Sequence, residues 1–106
     1  MVMIAWDRVA ELRDEIGEDS FAEVLEMFVE EAEELSDAIA EAGPDQMEAA
    51  MHAMKSTALN LGLSDLAEVC AAGERTAAAG QADDVDVAGV LICYRRSRQA
   101  LLDGVK

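Results

Sequence analysis

The chain has 106 residues, 52% apolar but only 4% aromatic, and its 23 acidic against 8 basic side chains give a formal charge of −15. That length holds one domain with a single core, and the charge excludes nucleic acid and anionic membranes as partners, since both demand a basic face. No apolar run is long enough to span a bilayer, and Met1-Val2-Met3-Ile4-Ala5-Trp6 lacks the basic start and apolar length of a secretion signal, so a cytoplasmic protein off the membrane is expected.

Ala, Glu, Leu and Met dominate and the lone proline is Pro44, which favours helices throughout. The first helix reads from about Asp7 to Ile16, with Val9, Leu12 and Ile16 on one face and Gly17 as its stop. Ser20-Phe21-Ala22-Glu23 has the form of a capping box and predicts a long second helix to about Ala42. Its inner stripe is Phe21, Val24, Leu25, Phe28, Ala32, Leu35 and Ile39, while Glu23, Glu26, Glu30, Glu33, Glu34 and Asp37 read as a solvated face.

Gly43-Pro44 breaks the chain, and Asp45 is placed to cap a third helix that ends at Gly62, the residue expected to take positive φ. Ser64 is expected to cap a fourth helix facing inward through Leu66, Val69, Cys70, Gly73 and Ala77. After the loop Gly80–Asp84, a last helix from about Val85 to Leu102 buries Val87, Val90, Leu91, Tyr94 and Leu101. Short connections make consecutive helices antiparallel. The expected fold is all-α: an antiparallel up-down-up-down four-helix bundle with a short additional N-terminal helix, one domain over residues 1–106, and a monomer.

The third helix carries the candidate chemistry. At 100° per residue, Met47, Ala50, Met51, Met54, Ala58 and Leu61 share a stripe, and His52, the only histidine, projects roughly 150° from its centre. Lys55 and Ser56 are its neighbours on the outer face. An exposed imidazole ordinarily titrates near ~6.5, so at pH 7 a free ring is mostly neutral and nucleophilic. A lysine one turn on can reach a phosphoryl group placed on that ring. At ~4 Å two unit charges interact by about 1 kcal/mol in water and ~4 at an effective dielectric of 20, so docking that excludes water strengthens the help. The reading requires an outward imidazole with an ammonium close by; a ring packed inward, or an amine pointing elsewhere and tied up in a carboxylate, would undo it. Leu59, seven residues after His52, is apolar where solvent gives it no reason to be, which marks a docking surface.

Other chemistries lack parts. A serine triad needs a buried histidine oriented by a carboxylate, no cleft is expected in so small a bundle, and no metal-ligand cluster exists. Cys70 and Cys93 sit among apolar residues and read as buried free thiols. A conventional enzyme is not expected on these grounds.

His52-x-x-Lys55-x-x-x-x-x-x-Gly62, followed by Leu66, Cys70 and Glu74, resembles the histidine-containing phosphotransfer (HPt) family of two-component phosphorelays. The family pattern is approximately His-x-Leu-Lys-Gly-Ser-Ala, a glycine ten residues after the histidine, then Leu-x-x-x-Cys-x-x-Leu-Glu. His52, Lys55, Ala58, Gly62, Leu66, Cys70 and Glu74 match it in order and spacing, and the helix layout resembles the family over nearly the whole chain. Ser56 stands where glycine is commonest and Gly73 where a core leucine is expected. The resemblance implies that His52 takes a phosphoryl group from a receiver-domain aspartate and passes it on, and that Lys55 steadies its oxygens. It implies that Ser56, Leu59, Gly62 and Leu63 form the receiver docking face, the bare Gly62 letting the partner approach. The implied partners are response-regulator receivers or a hybrid histidine kinase. The chain needs no cofactor of its own, with Mg²⁺ expected in the receiver, and it acts as a phosphocarrier rather than an enzyme. Its start at Met1 and its end just after the last helix fit a free-standing shuttle, and a domain cut from a larger hybrid kinase would look similar. The rival readings are a helical module that binds a receiver or kinase without carrying phosphate, and a purely structural acidic bundle.

Overall fold

The computed structural model describes residues 3–105 and contains, among these, five α-helices and no strand. They are α1 (Trp6–Ile16), α2 (Glu18–Glu41), α3 (Met47–Leu61), α4 (Ser64–Ala78) and α5 (Val87–Gly104), with a 3-10 turn at Ala82–Asp84. The expectations for Met1 and Val2 lie outside the described residues. Around the core, α2 packs on α3, α3 on α4, α4 on α5 and α5 back on α2, while α1 lies against α2 and α3.

The core is drawn from the expected stripes, although Val24, Phe28 and Leu35 of α2, Val69 and Ala77 of α4, and Val87 and Leu91 of α5 are only half-buried. Phe21, Leu25, Ala32 and Ile39 of α2 meet Met47, Met51, Met54, Ala58 and Leu61 of α3, Leu66 and Cys70 of α4, and Val90, Tyr94 and Leu101 of α5. With so few aromatics, the methionines fill the centre, and Met51 and Met54 are both fully buried. Burying each such side chain is worth roughly 1.5–3 kcal/mol. Met51 also explains Gly73: a Cβ there would lie 3.0 Å from the Met51 sulfur, so the thioether occupies the space a leucine would have filled. The helix is not loosened by the glycine; α3 and α4 form the most extensive helix pair.

The helix starts differ from expectation. Gly17, at φ +93°, ends α1 and directly precedes α2, so α2 begins at Glu18 and Ser20 lies inside its first turn rather than capping it. Glu18 and Asp19 instead place negative charge at the positive end of the helix dipole. Neither Asp45 nor Ser64 caps: Gln46 precedes α3 and Leu63 precedes α4, both without a side-chain cap bond. The Ser64 amide is used otherwise, donating to the Met3 carbonyl at 3.0 Å. At α5, the true cap is Asp86, whose carboxylate accepts from the Gly89 amide at 3.0 Å, and the helix starts two residues later than expected. Glu33 leaves the solvated face of α2 to accept from the Tyr94 hydroxyl at 2.5 Å and from Arg98 at 2.6 Å, tying α2 to α5.

Gly62 closes α3 with φ +75°, and the Leu63 amide reaches back to the Ala58 carbonyl at 2.8 Å. This is a Schellman ending, which buries the apolar residue after the glycine against the last helical turn; Leu63 is 2% exposed. The N-terminal segment lies across the turn. The Ala5 amide donates to the Gly62 carbonyl at 2.6 Å, and a Cβ at Gly62 would be only 2.8 Å from the Ala5 carbonyl oxygen.

Two outcomes follow. Gly62→Ala lowers unfolding stability by at least ~1–2 kcal/mol, the cost of a left-handed non-glycine residue, with the crowding against Ala5 added; urea denaturation measures it, and a loss under about 0.5 kcal/mol would contradict the packing. Burial pushes the Cys70 thiol from 9.0 to about 12, and burial first, then the bond to Glu33, pushes the Tyr94 phenol from 10.0 to about 12. Between those limits the unfolded chain has released protons that the folded one keeps, so stability is intact below pH ~9 and falls as pH rises towards ~12. Denaturation midpoints across that range check it, and Cys70→Ala shows a shallower fall than the parent.

Candidate functional site

The outward face of α3 begins with His52, whose side chain is 60% exposed. Its neighbours on the same helix, Met51 and Met54, are fully buried, so the ring's direction follows from the amphipathic pattern alone. Nδ1 lies 2.8 Å from Oε2 of Glu74 on α4. Lys55, on the same side of α3, donates from Nζ to the other oxygen of that carboxylate, Oε1, at 2.6 Å. One carboxylate therefore bridges the imidazole and the ammonium. The His52 and Glu74 side chains also border a shallow groove of about 360 Å³ with Asp45, Glu48 and Ala49.

Lys55 is paired with a carboxylate but does not point away: that carboxylate is bound to the same histidine and so keeps the amine at the site. Its hydrogen bond is the main reason that the Glu74 carboxyl is held below the usual carboxylate range, with the His52 bond second and partial desolvation opposing both. An ionised carboxylate accepts hydrogen bonds and donates none. When the ring is neutral, Nδ1 must then carry the proton towards Glu74, and the Nε2 lone pair is left free on the opposite side of the ring. The chemical capacity of the site is a fixed tautomer with an exposed nitrogen nucleophile.

The other residues singled out in the sequence divide into two groups. Ser56 is exposed and Leu59 is 57% exposed, both on the outer side of α3. Gly62 and Leu63 are buried and form no part of an accessible face. Gly62 is covered by Ala5 and Arg8 of its own chain, and the Arg8 guanidinium donates to the Asn60 carbonyl beside it at 3.2 Å. Leu63 turns inward because the Schellman ending requires it. Their assignment to a docking surface is thus corrected: both serve the turn.

Glu74 was visible in the sequence only as part of the family pattern, with no role attached. A positional signal exists. His52 lies ten residues before Gly62 and Glu74 twelve after it, so in a tight helical hairpin turning at that glycine the two come level.

The expectation that no cleft exists is also corrected. A cleft of about 370 Å³ opens between α4 and the start of α5, bordered by Gly73, Thr76, Val85 and Asp86 among others. It holds neither histidine nor cysteine. Among the described residues no cluster of histidine, cysteine or carboxylate side chains suits a metal ion, and no helix is long and apolar enough to cross a membrane. Both cysteines are free thiols, Cys70 buried and Cys93 half-buried.

Comparison with curated proteins and with solved structures found no match. Comparison with protein families matches residues 23–104 to the Hpt domain, a span that begins in α2 and runs to the end of α5. With the greater part of its length matched, and with its helical architecture, the chain belongs to the Hpt domain family, the histidine phosphotransfer carriers of two-component systems.

Proposed function

We propose that this protein is a phosphocarrier in which His52 accepts a phosphoryl group through Nε2 from a receiver-domain aspartate and returns it to another receiver. The single observation that carries this reading is the bond from Nδ1 to Glu74 at 2.8 Å on an imidazole that is otherwise open to solvent. The lone pair of Nε2 attacks phosphorus in line, the P–N bond forms, and the P–O bond breaks with its electrons on the departing aspartate. Such chemistry asks mainly for positioning and charge neutralisation. Mg²⁺ belongs to the partner receiver and supplies part of that neutralisation.

The ring of neighbouring helices and the short connections support an up-down-up-down bundle with α1 added. Ser56 and Leu59 extend the accessible surface along α3 from His52, and we assign receiver docking to that strip rather than to the turn at Gly62. Lys55 acts first through Glu74, holding it ionised and in place, and its ammonium stays within the site when an anionic phosphoryl group arrives. Free cysteines fit a reducing, cytoplasmic setting, and the high like charge disfavours self-association, in keeping with a monomer.

Incubation with phosphorylated receivers tests the reading. Wild-type protein gains acid-labile, base-stable phosphate; His52→Gln gains none while keeping its helical spectrum and unfolding midpoint. Lys55→Ala transfers roughly tenfold more slowly, the scale of one lost charge-assisted contact. A His52→Gln variant that still took up acid-labile phosphate would remove His52 from the role. A wild type that bound receivers tightly yet never acquired phosphate would make it an interaction module instead.

A further inference from the structure

The outer face of α5 departs from the acidic character of the chain. This helix carries three arginines, Arg95, Arg96 and Arg98, against a single aspartate, Asp103, in a molecule of formal charge −15. Val90, Tyr94, Ser97 and Leu101 are its buried side. Ile92, Arg95, Arg96 and Gln99, at spacings of three and four, therefore share the outward stripe. Ile92 is 47% exposed, and both arginines of the stripe are exposed.

Ordinary roles do not account for those two arginines. Arg98 pairs with Glu33 and lies over the Tyr94 ring, whereas no carboxylate among the described residues pairs with Arg95 or Arg96. Neither stands in the last turn, where the helix dipole would favour a cation. A lone exposed isoleucine is common. One flanked by two unpaired guanidiniums has the composition of an interface, where arginine is enriched and an apolar centre excludes water. We propose that this stripe of α5 docks an acidic peptide segment of another protein, with Ile92 against an apolar side chain and Arg95 and Arg96 on carboxylates beside it.

Charge selects the occupant. A guanidinium matches a carboxylate through two parallel hydrogen bonds, and a basic segment would settle instead on α2, where Glu23, Glu26, Glu30 and Glu34 face solvent. The net charge repels an acidic partner at long range, but physiological salt screens such fields beyond ~8 Å, so the local arginines govern the contact. Glu33, the α2 carboxylate bonded to α5, is already engaged by Tyr94 and Arg98. Gln99 closes the stripe, its amide donating to Asp103 at 2.9 Å. Helix α5 lies across the core from α3, since each packs on both α2 and α4. An occupant of α5 thus leaves His52 open. Under the carrier reading, on which the proposal does not rest, it would act as a tether that raises the effective concentration of the protein bearing it.

Titration of the ¹⁵N-labelled full chain, at about 0.15 M salt, with a peptide of repeated Glu-Glu-Leu-Glu provides the test. The same peptide with lysine for glutamate is the control. With the acidic peptide, amide shifts are expected at Ile92, Arg95, Arg96 and Gln99 and not around His52. The double variant Arg95→Glu, Arg96→Glu binds it about tenfold more weakly, and Ile92→Ser about threefold more weakly, both with the parent's helical spectrum. Absence of shifts on α5, or equal affinity in the double variant, overturns the proposal. So does dimerisation of the chain at the same concentrations that the double variant abolishes, which would assign the face to a second copy. Phosphoryl uptake by His52 is read in a separate assay, and its failure would leave the α5 result unchanged.

Discussion

The turn at Gly62 sets the relation between α3 and α4, and the site depends on that relation. A left-handed glycine lets α3 stop and the chain reverse within two residues. Because the reversal is so short, the two helices lie against each other from the turn outward, and their register has little freedom. Glu74 is thereby brought level with His52 and Lys55. A longer or looser connection would leave three charged or polar side chains on two helices with no reason to meet. The N-terminal segment reinforces the same point, since the Ala5 amide and the Met3 carbonyl both bond to the turn. Residues that match no part of the Hpt span thus stabilise the corner on which the matched part relies.

Electrostatics at the site are set within a molecule of strongly acidic net charge. Asp45, Glu48 and Glu74 border the ring, with one lysine among them. That surrounding opposes the approach of an anionic phosphoryl group. Under the carrier reading, this chain supplies the nucleophile, and the docked receiver supplies most of the neutralisation of the moving phosphoryl group. Such a division is consistent with a small bundle that offers an exposed ring rather than an enclosed pocket.

The core shows how a chain poor in aromatics can still be closely packed. Flexible thioethers adapt to irregular space, as where Met51 occupies the volume left by Gly73. The compensation involves two helices, so the glycine by itself looks like a defect and the methionine by itself like generic filler. Together they let α3 and α4 approach closely. The Glu33–Tyr94–Arg98 cluster plays a comparable part between α2 and α5, with polar groups in place of volume.

Periodicity along each helix was enough to separate inner from outer faces, because burial of one apolar stripe is a property of the single helix. The outward direction of His52, the inward direction of Met51 and Met54, the left-handed Gly62 and the exposure of Leu59 were all legible in this way. Helix starts were less so. Ser20, Asp45 and Ser64 have capping chemistry, but Gly17 and the Met3 carbonyl met the same backbone needs first. Contacts between helices were beyond local pattern altogether. Whether Lys55 points at solvent or at Glu74, and whether Gly62 and Leu63 are open or covered, depends on which residues other helices bring within hydrogen-bonding or van der Waals distance. The sequence by itself determined the helices, their faces and the outward imidazole; the tertiary structure alone decided what that imidazole is bonded to, because pairing across helices depends on register, which no single helix encodes.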